Sequence, residues 1–208
     1  MLQSSQMTAV LKSATRVIGI DPGLNITGYG IVVCCPDEVK LLEAGVIRMP
    51  RNHSGNLPER LESLFVELRR VIEEFEPQVM CLEEVYSHAS YPRTAILMGH
   101  ARGVICLAAR LAGIPVLSFS AKRVKQSVTG NGNASKLQVQ RSVQNYFSLH
   151  RVPYPPDVAD ALAVALCYVN GRGKHWAGGQ RVNDSKNSPL PWGEGVPIRR
   201  FHQPERDG

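Results

Sequence analysis

The stretch at residues 16–23 reads Arg-Val-Ile-Gly-Ile-Asp-Pro-Gly. The apolar run at 16–20 predicts a short buried strand, and Asp21-Pro22-Gly23 predicts the turn that ends it. A carboxylate at the end of a buried strand costs free energy unless something compensates its charge. Asp21 therefore either caps the turn by accepting backbone N–H bonds or belongs to a functional site, and its position alone leaves both open.

The elements that follow this strand predict the architecture. The clearest helix is Leu57–Phe75, where apolar residues recur at three- and four-residue steps. The other predicted strands are residues 27–35, 39–49, 78–82 and 115–119, and the other predicted helices are residues 93–111, 121–128, 134–146 and 157–169. Three strands in a meander, then alternating helices and strands, predict an α/β domain over residues 16–170. We expect a mixed five-stranded sheet flanked by helices, which is the ribonuclease-H-like plan.

The two ends of the chain lack such patterns. Residues 1–15 are expected to be a flexible leader. Residues 171–208 are rich in Gly, Pro, Asn and Arg, and they carry 7 basic against 4 acidic residues. We expect this segment to be a disordered tail.

Charge is distributed unevenly along the 208 residues, whose formal net charge is +6. Residues 85–156 contain no Asp or Glu. The nine cations of this interval are Arg93, Arg102, Arg110, Lys122, Arg123, Lys125, Lys136, Arg141 and Arg151. Scattered arginines can simply form a solvated basic surface. An interval this long without an acid nevertheless favours a polyanionic partner such as nucleic acid.

The remaining composition indicates a reduced, cytoplasmic protein. The five cysteines include no C-x-x-C pair, so neither a disulfide framework nor a zinc site is predicted. No apolar run reaches the length of about 20 residues that spans a bilayer, and the N-terminus lacks a signal-peptide core. We therefore expect no membrane association. The six histidines have no metal-ligand spacing and receive no role.

Four further acids share the ambiguity of Asp21. Glu83 comes directly after the predicted strand 78–82, and Glu84 is the next residue. Because side chains alternate between the two faces along a strand, these two carboxylates are expected to point in opposite directions. Asp157 and Asp160 open the last helix three residues apart, on one helix face. Asp-x-x-Asp before an apolar run is also a capping arrangement, and acids at a strand exit can simply be solvated.

The combination of acids is more informative than each acid alone. Asp21 and Glu83 are predicted to end neighbouring strands at one edge of the sheet, beside the first turn of the last helix. Four converging carboxylates could not all stay ionised without compensation, and two divalent cations would cancel their charge. Hard cations such as Mg²⁺ bind carboxylate oxygens and can clamp both the attacking water and the leaving oxygen of a phosphodiester. With the basic interval, this predicts nucleic-acid hydrolysis.

Five motifs, IGIDPGLNITGYGIV, CLEEVY, GHARGVICLAA, AKRVKQSVTGNGNASKLQV and DVADALAVAL, resemble the RuvC family of Holliday-junction resolvases over residues 16–170. The resemblance implies that Asp21, Glu83, Asp157 and Asp160 are the catalytic and metal-binding acids. It implies two Mg²⁺ ions per site, with Mn²⁺ able to substitute, and a homodimer that makes paired symmetric nicks in four-way junction DNA. The products would carry 5′-phosphate and 3′-hydroxyl ends, and the RuvA–RuvB branch-migration complex would be a partner in recombination and repair.

The same resemblance implies DNA-binding residues. Tyr86 matches an aromatic residue that stacks on bases near the crossover, although a Tyr there could also pack into a helix–strand joint. Lys125 and Lys136 match lysines near the scissile phosphate, and Lys136 lies in the first turn of the predicted helix 134–146, where N–H groups favour phosphate. Lys122 and Arg123, in the same basic segment, are expected to bind DNA as well. Glu84 stands where relatives often have Gln, which leaves open which of Glu83 and Glu84 is the ligand.

The predicted helix 93–111 is the expected dimer element. Its apolar residues cover more of the helix than one core-facing stripe requires, and they include Ile96, Leu97, Val104, Ile105, Leu107 and Ala108. The alternative is a helix buried on two sides within one domain. Periodicity leaves both open, and the resemblance to the RuvC family, which implies a homodimer matching the two-fold symmetry of the junction, favours the interface.

Three other functions compete with junction resolution. Asp-Pro-Gly-x-x-x-x-Gly after a strand also resembles the phosphate loop of the actin and sugar-kinase superfamily, but 208 residues hold neither its second domain nor its adenosine loop. ATP hydrolysis without DNA would support that class. A nuclease of the same fold could act on RNA or other branched DNA. A junction-binding protein that no longer cuts is disfavoured by the complete set of acids.

Overall fold

The computed structural model describes residues 14–23, 25–35, 38–48, 56–84 and 92–171. The predicted leader up to residue 13, the tail from residue 172 onwards and Tyr86 lie outside the described residues. The described part contains five strands and five helices. The strands are β1 (Thr15–Asp21), β2 (Ile26–Cys34), β3 (Val39–Arg48), β4 (Val79–Glu83) and β5 (Val116–Phe119). The helices are α1 (Leu57–Phe75), α2 (Pro92–Leu111), α3 (Ala121–Thr129), α4 (Lys136–Tyr146) and α5 (Pro156–Gly171).

The strands form one mixed sheet in the order β3-β2-β1-β4-β5. β1 pairs with β2, and β2 with β3, in antiparallel fashion, whereas β4 is parallel to both β1 and β5. This arrangement confirms the predicted mixed five-stranded sheet. The predicted elements differ from the observed ones only at their ends, where the structure moves boundaries by one or two residues.

Two apolar layers cover the two faces of the sheet. One layer packs α1 and α2 on one face around Ile18, Ile20, Leu68 and Ile105. The other packs α3, α4 and α5 on the opposite face around Val17, Val32 and Leu166. β1 contributes to both layers through alternate side chains, because successive residues of a strand point to opposite faces. This central position of β1 holds the Asp21 end of the strand firmly.

Helix α2 has one buried and one exposed apolar face. Ala101, Ile105 and Ala108 are buried in the core, whereas Ile96 is 61% and Leu107 is 52% exposed. The segment Thr94–Leu111 is long and apolar enough to cross a membrane by length and composition, and 22% of it is buried. α2 thus comes closer to a membrane-spanning composition than we expected from the sequence.

Candidate active site

Asp21 and Glu83 lie at the same edge of the sheet. Asp21 is the last residue of β1 and Glu83 the last residue of β4. The two strands run parallel as direct neighbours, with Ile20 opposite Leu82. The carboxyl ends of parallel strands lie at the same edge of a sheet, so Asp21 and Glu83 are neighbours at that edge. The prediction that they end neighbouring strands is confirmed.

The turn after β1 is closed by Thr27. The buried Thr27 Oγ1 donates a hydrogen bond to the carbonyl of Gly23 at 2.7 Å and accepts one from the Gly23 amide at 3.3 Å. A Cβ on Gly23 would lie 2.1 Å from the carbonyl oxygen of Ile26, so only glycine fits. In the described part of the turn, Thr27 rather than Asp21 therefore supplies the side-chain hydrogen bonds.

Glycines in the strands bring α5 to the site. A Cβ on Gly28 would lie 2.1 Å from the carbonyl oxygen of Asp157, and a Cβ on Gly19 would lie 2.2 Å from that of Ala161. The helix backbone thus rests directly on the backbone of β1 and β2, closer than any side chain would permit. This close approach sets the first turn of α5, with Asp157, beside the strand ends. The spacing of these glycines is a signal in the sequence that our predictions did not use.

Electrostatics shows that the four acids form one cluster. Burial, followed by the charges of Asp160, Glu83 and Asp157, raises the pKa of Asp21 to about 7. Burial, followed by the charge of Asp160, also raises the pKa of Glu83. Both effects favour the protonated acid, because the ionised form would be buried among like charges. The charges of Glu83, Asp157 and Asp160 thus all act on Asp21, and the role of these four acids as catalytic metal ligands stays a prediction.

Two of the predicted lysines join this cluster. The Nζ of Lys136 lies 3.1 Å from Oδ2 of Asp160, and this contact, more than any other, raises the pKa of Lys136. Lys125 and Lys136 both act to lower the pKa of Glu83, so each lies near that carboxylate. Lys136 is the first residue of α4, which Ser135 and Gln138 cap with reciprocal hydrogen bonds.

The other two basic residues of this segment have different surroundings. The side chain of Lys122 packs against the 130–132 turn, where a Cβ on Gly132 would lie 2.8 Å from Lys122 Cγ. The guanidinium of Arg123 lies over the ring of Phe119, 5.4 Å from its centroid. Both are exposed. The structure thus brings Lys125 and Lys136 to the acids but gives Lys122 and Arg123 separate local contacts.

The chemistry of the acidic cluster fits a hard divalent cation, because carboxylate oxygens are the ligands that Mg²⁺ prefers. Across the described residues, however, no three His, Cys, Asp or Glu side chains are close enough together to hold a metal ion. The cluster therefore offers carboxylate oxygens suited to a divalent cation, but its side chains are not close enough together to hold one.

An acidic cluster flanked by lysines at the edge of this mixed sheet defines a ribonuclease-H-like nuclease. The family model of "Crossover junction endodeoxyribonuclease RuvC" matches residues 17–168. The chain therefore belongs to the RuvC family, the Holliday-junction resolvases, which are divalent-metal-dependent nucleases. The crossover junction endodeoxyribonuclease RuvC of Rhodopirellula baltica is 50% identical over 161 residues, covering 77% of this chain and 89% of that protein. That of Alkaliphilus oremlandii is 42% identical over 154 residues, covering 74% of this chain and 92% of that protein.

Solved structures agree with this assignment. Thermus thermophilus RuvC superimposes with a TM-score of 0.67 at 30% identity, covering 76% of this chain and 95% of that chain. The same protein in complex with a Holliday junction substrate gives a TM-score of 0.69 at 28% identity, covering 79% of this chain and 99% of that chain. The yeast mitochondrial resolvase Ydc2, at 18% identity and a TM-score of 0.56, shares the fold.

Proposed function

We propose that this chain cuts four-way DNA junctions by hydrolysing phosphodiester bonds at the cluster of Asp21, Glu83, Asp157 and Asp160. The observation that carries the proposal is that Asp21 and Glu83 end the neighbouring parallel strands β1 and β4 at one edge of the sheet. At this edge, burial and the other three carboxylates raise the pKa of Asp21 to about 7. A buried cluster of acids stores unfavourable charge that a bound cation relieves. The four acids would hold two Mg²⁺ ions, or Mn²⁺ in their place. Such ions supply an activated water and stabilise the leaving oxygen.

The lysines give the site its affinity for phosphate. Lys136 lies at the N-terminus of α4, where backbone N–H groups and the helix dipole also favour an anion. Its ammonium contacts Asp160 while its side chain as a whole is 74% exposed, so Lys136 can also contact a phosphate approaching from solvent. Lys125 lies close enough to Glu83 to influence its ionisation. Together the two lysines would orient the scissile phosphate against the carboxylates.

The exposed face of α2 supports a homodimer. Ile96 and Leu107, both more than half exposed, border a groove of about 470 Å³ between α1 and α2, together with Leu61 and Val104. An apolar face of this kind on a nuclease domain is best covered by a second copy, because a two-fold dimer matches the two-fold symmetry of the junction. Two active sites would then make paired, symmetric nicks. Ile105 and Ala108, expected at this interface from the sequence, belong instead to the core of the protomer.

The remaining parts of the proposal follow from family membership. The products would carry 5′-phosphate and 3′-hydroxyl ends. The chain would work in the cytoplasm in recombination and DNA repair, with the RuvA–RuvB branch-migration complex as its partner. The neighbour solved with a Holliday junction supports the choice of substrate, since it shares the fold over 79% of this chain.

The deciding experiment incubates a synthetic four-way junction with the protein and Mg²⁺, comparing the wild type with Asp21→Asn. The wild type should nick two opposing strands symmetrically, whereas the variant should bind the junction without cutting it. A linear duplex of the same sequence and a single-stranded RNA serve as control substrates. Cleavage of RNA in preference to the junction, or ATP hydrolysis without DNA, would assign the chain to one of the competing classes.

A further inference from the structure

The carboxyl end of β4 is held by an arginine from another element. Nη1 of Arg102, in α2, donates a hydrogen bond to the backbone carbonyl of Glu83 at 2.6 Å. Nη2 of the same guanidinium donates to Oγ of Ser118, in β5, also at 2.6 Å. One half-buried side chain thus joins a helix to the ends of two strands. Both bonds are charge-assisted, which makes them roughly twice as strong as neutral ones.

The contacted carbonyl belongs to a residue of the acidic cluster. β4 ends at Glu83, and the next amide, that of Glu84, donates to the carbonyl of Phe119 at 2.8 Å. Arg102 and Phe119 therefore hold the peptide unit between Glu83 and Glu84 from its two sides. The orientation of this peptide determines which of the two successive carboxylates faces Asp21, because neighbouring side chains along a strand point in opposite directions.

The helix that carries Arg102 is itself well anchored. Ala101 and Ile105, on either side of Arg102 in sequence, are fully buried against the sheet. The guanidinium is planar and presents its donors in a fixed fork, so two acceptors bound at once define its orientation. A lysine could reach either acceptor but could not hold both in this geometry. The arrangement is thus specific to arginine.

We propose that Arg102 is a positioning residue that fixes the Glu83 carboxylate in the acidic cluster and so sets its affinity for the divalent cation. This inference rests on the proposed function of that cluster. Arg102 acts through the backbone of Glu83, because its guanidinium binds that carbonyl and the Ser118 hydroxyl rather than the Glu83 carboxylate. Partners of this kind, one step removed from a metal ligand, typically change metal affinity by about 10–100-fold when they are removed.

The test compares Arg102→Met, Arg102→Lys and Ser118→Ala with the control Arg110→Met. Arg110 is an exposed arginine two turns further along α2, so its substitution removes the same charge from the same helix.

Three quantities are measured: the thermal shift produced by Mn²⁺ alone, the Mg²⁺ concentration for half-maximal single-turnover cleavage, and junction affinity without metal. Arg102→Met should raise the Mg²⁺ requirement by about tenfold and shrink the Mn²⁺-induced shift, with junction affinity within about twofold of Arg110→Met. For Arg102→Lys and Ser118→Ala, the Mg²⁺ requirement and the Mn²⁺-induced shift should lie between those of the wild type and those of Arg102→Met.

A double variant tests whether Arg102 acts on the cation through Glu83. If Arg102 acts through Glu83, adding Arg102→Met to Glu83→Gln should not reduce the Mn²⁺-induced shift any further. An additive loss in the double variant would overturn the proposal, as would an unchanged Mg²⁺ requirement in Arg102→Met. If Arg102→Met fails to fold, Arg102→Lys and Ser118→Ala decide by the same criteria. A wild type that shows the Mn²⁺-induced shift but does not cut junctions would refute the proposed function and leave this inference to be judged by the shift.

Discussion

The ammonium Nζ of Lys136 lies 3.1 Å from the carboxylate Oδ2 of Asp160, and this ion pair joins the first residue of α4 to the N-terminal part of α5. The aspartate side chain is 17% exposed and the lysine side chain 74% exposed. Asp160 is also the neighbour that contributes most, after burial, to the raised pKa of Asp21. The pair therefore places one positive charge at the outer side of a cluster whose inner members repel one another.

Replacing Lys136 with Gln should reduce cleavage more than binding. The charge lost lies at the carboxylates, whereas junction affinity is spread over many phosphate contacts. We expect single-turnover cleavage to fall by at least about tenfold, with less than about a threefold loss of affinity. Lys122→Gln provides the contrast, because Lys122 lies apart from the acids and should affect affinity more than rate. Equal losses of rate and affinity in both variants would show that Lys136 acts only as a surface charge.

Glu83 and Glu84 can be separated by substitution. Because Glu83 ends β4 beside Asp21, Glu83→Gln should lower cleavage by orders of magnitude while junction binding persists. Glu84→Gln changes the same chemical group one position along and should retain most of the activity. Single-turnover cleavage of a four-way junction measures both. The opposite ranking would move the metal ligand to Glu84.

The stability of the metal-free protein should decrease as pH rises from about 4 to about 7. With the pKa of Asp21 raised to about 7, the folded protein keeps a proton that the unfolded chain releases near its ordinary value of 3.8. Asp21→Asn removes this penalty and should stabilise the metal-free protein at about pH 8 by roughly 1–4 kcal/mol, with little effect near pH 4. Urea unfolding in EDTA at both pH values measures the difference. A variant equally destabilised at both values would contradict the assigned pKa.

Gly28→Ala should displace α5 from the sheet. The added Cβ would meet the carbonyl oxygen of Asp157 at 2.1 Å, and backbone cannot yield as a flexible side chain does. We expect a loss of about 2 kcal/mol or more in unfolding free energy and a larger proportional loss of cleavage. Gly132→Ala is the matched control, since its nearest neighbour is the flexible side chain of Lys122. Similar small effects in the two variants would mean that α5 tolerates a shift.

The dimer can be tested at Leu107. A charge on the exposed apolar face of α2 should disrupt the interface, so Leu107→Glu should sediment as a monomer near 22.9 kDa, whereas the wild type should have about twice that mass. The control is Leu42→Glu, at a leucine of similar exposure in β3, and it should remain dimeric. Leu107→Glu should also lose the pairing of its two nicks. A wild type that is monomeric on the junction, yet cuts in pairs, would refute the dimer.

The helices and strands and their order could be predicted from local patterns in the sequence. The apolar run before Asp21, the periodicity of Leu57–Phe75 and the alternation of later helices and strands are local patterns, and local patterns follow from burial and backbone preference. The sequence also placed four acids at element ends, and the family motifs selected them from among ordinary capping and solvated residues.

The interactions between these residues could not be predicted in this way, because they depend on how the elements pack. The pKa of Asp21 depends on burial and on carboxylates up to 139 positions away in sequence, a separation that local patterns do not span. The anchoring of Glu83 by Arg102, and the division of α2 into a core face with Ile105 and an open face with Leu107, likewise depend on which elements pack together. Electrostatic coupling and burial are properties of distance in space, so they exist only once the chain has folded.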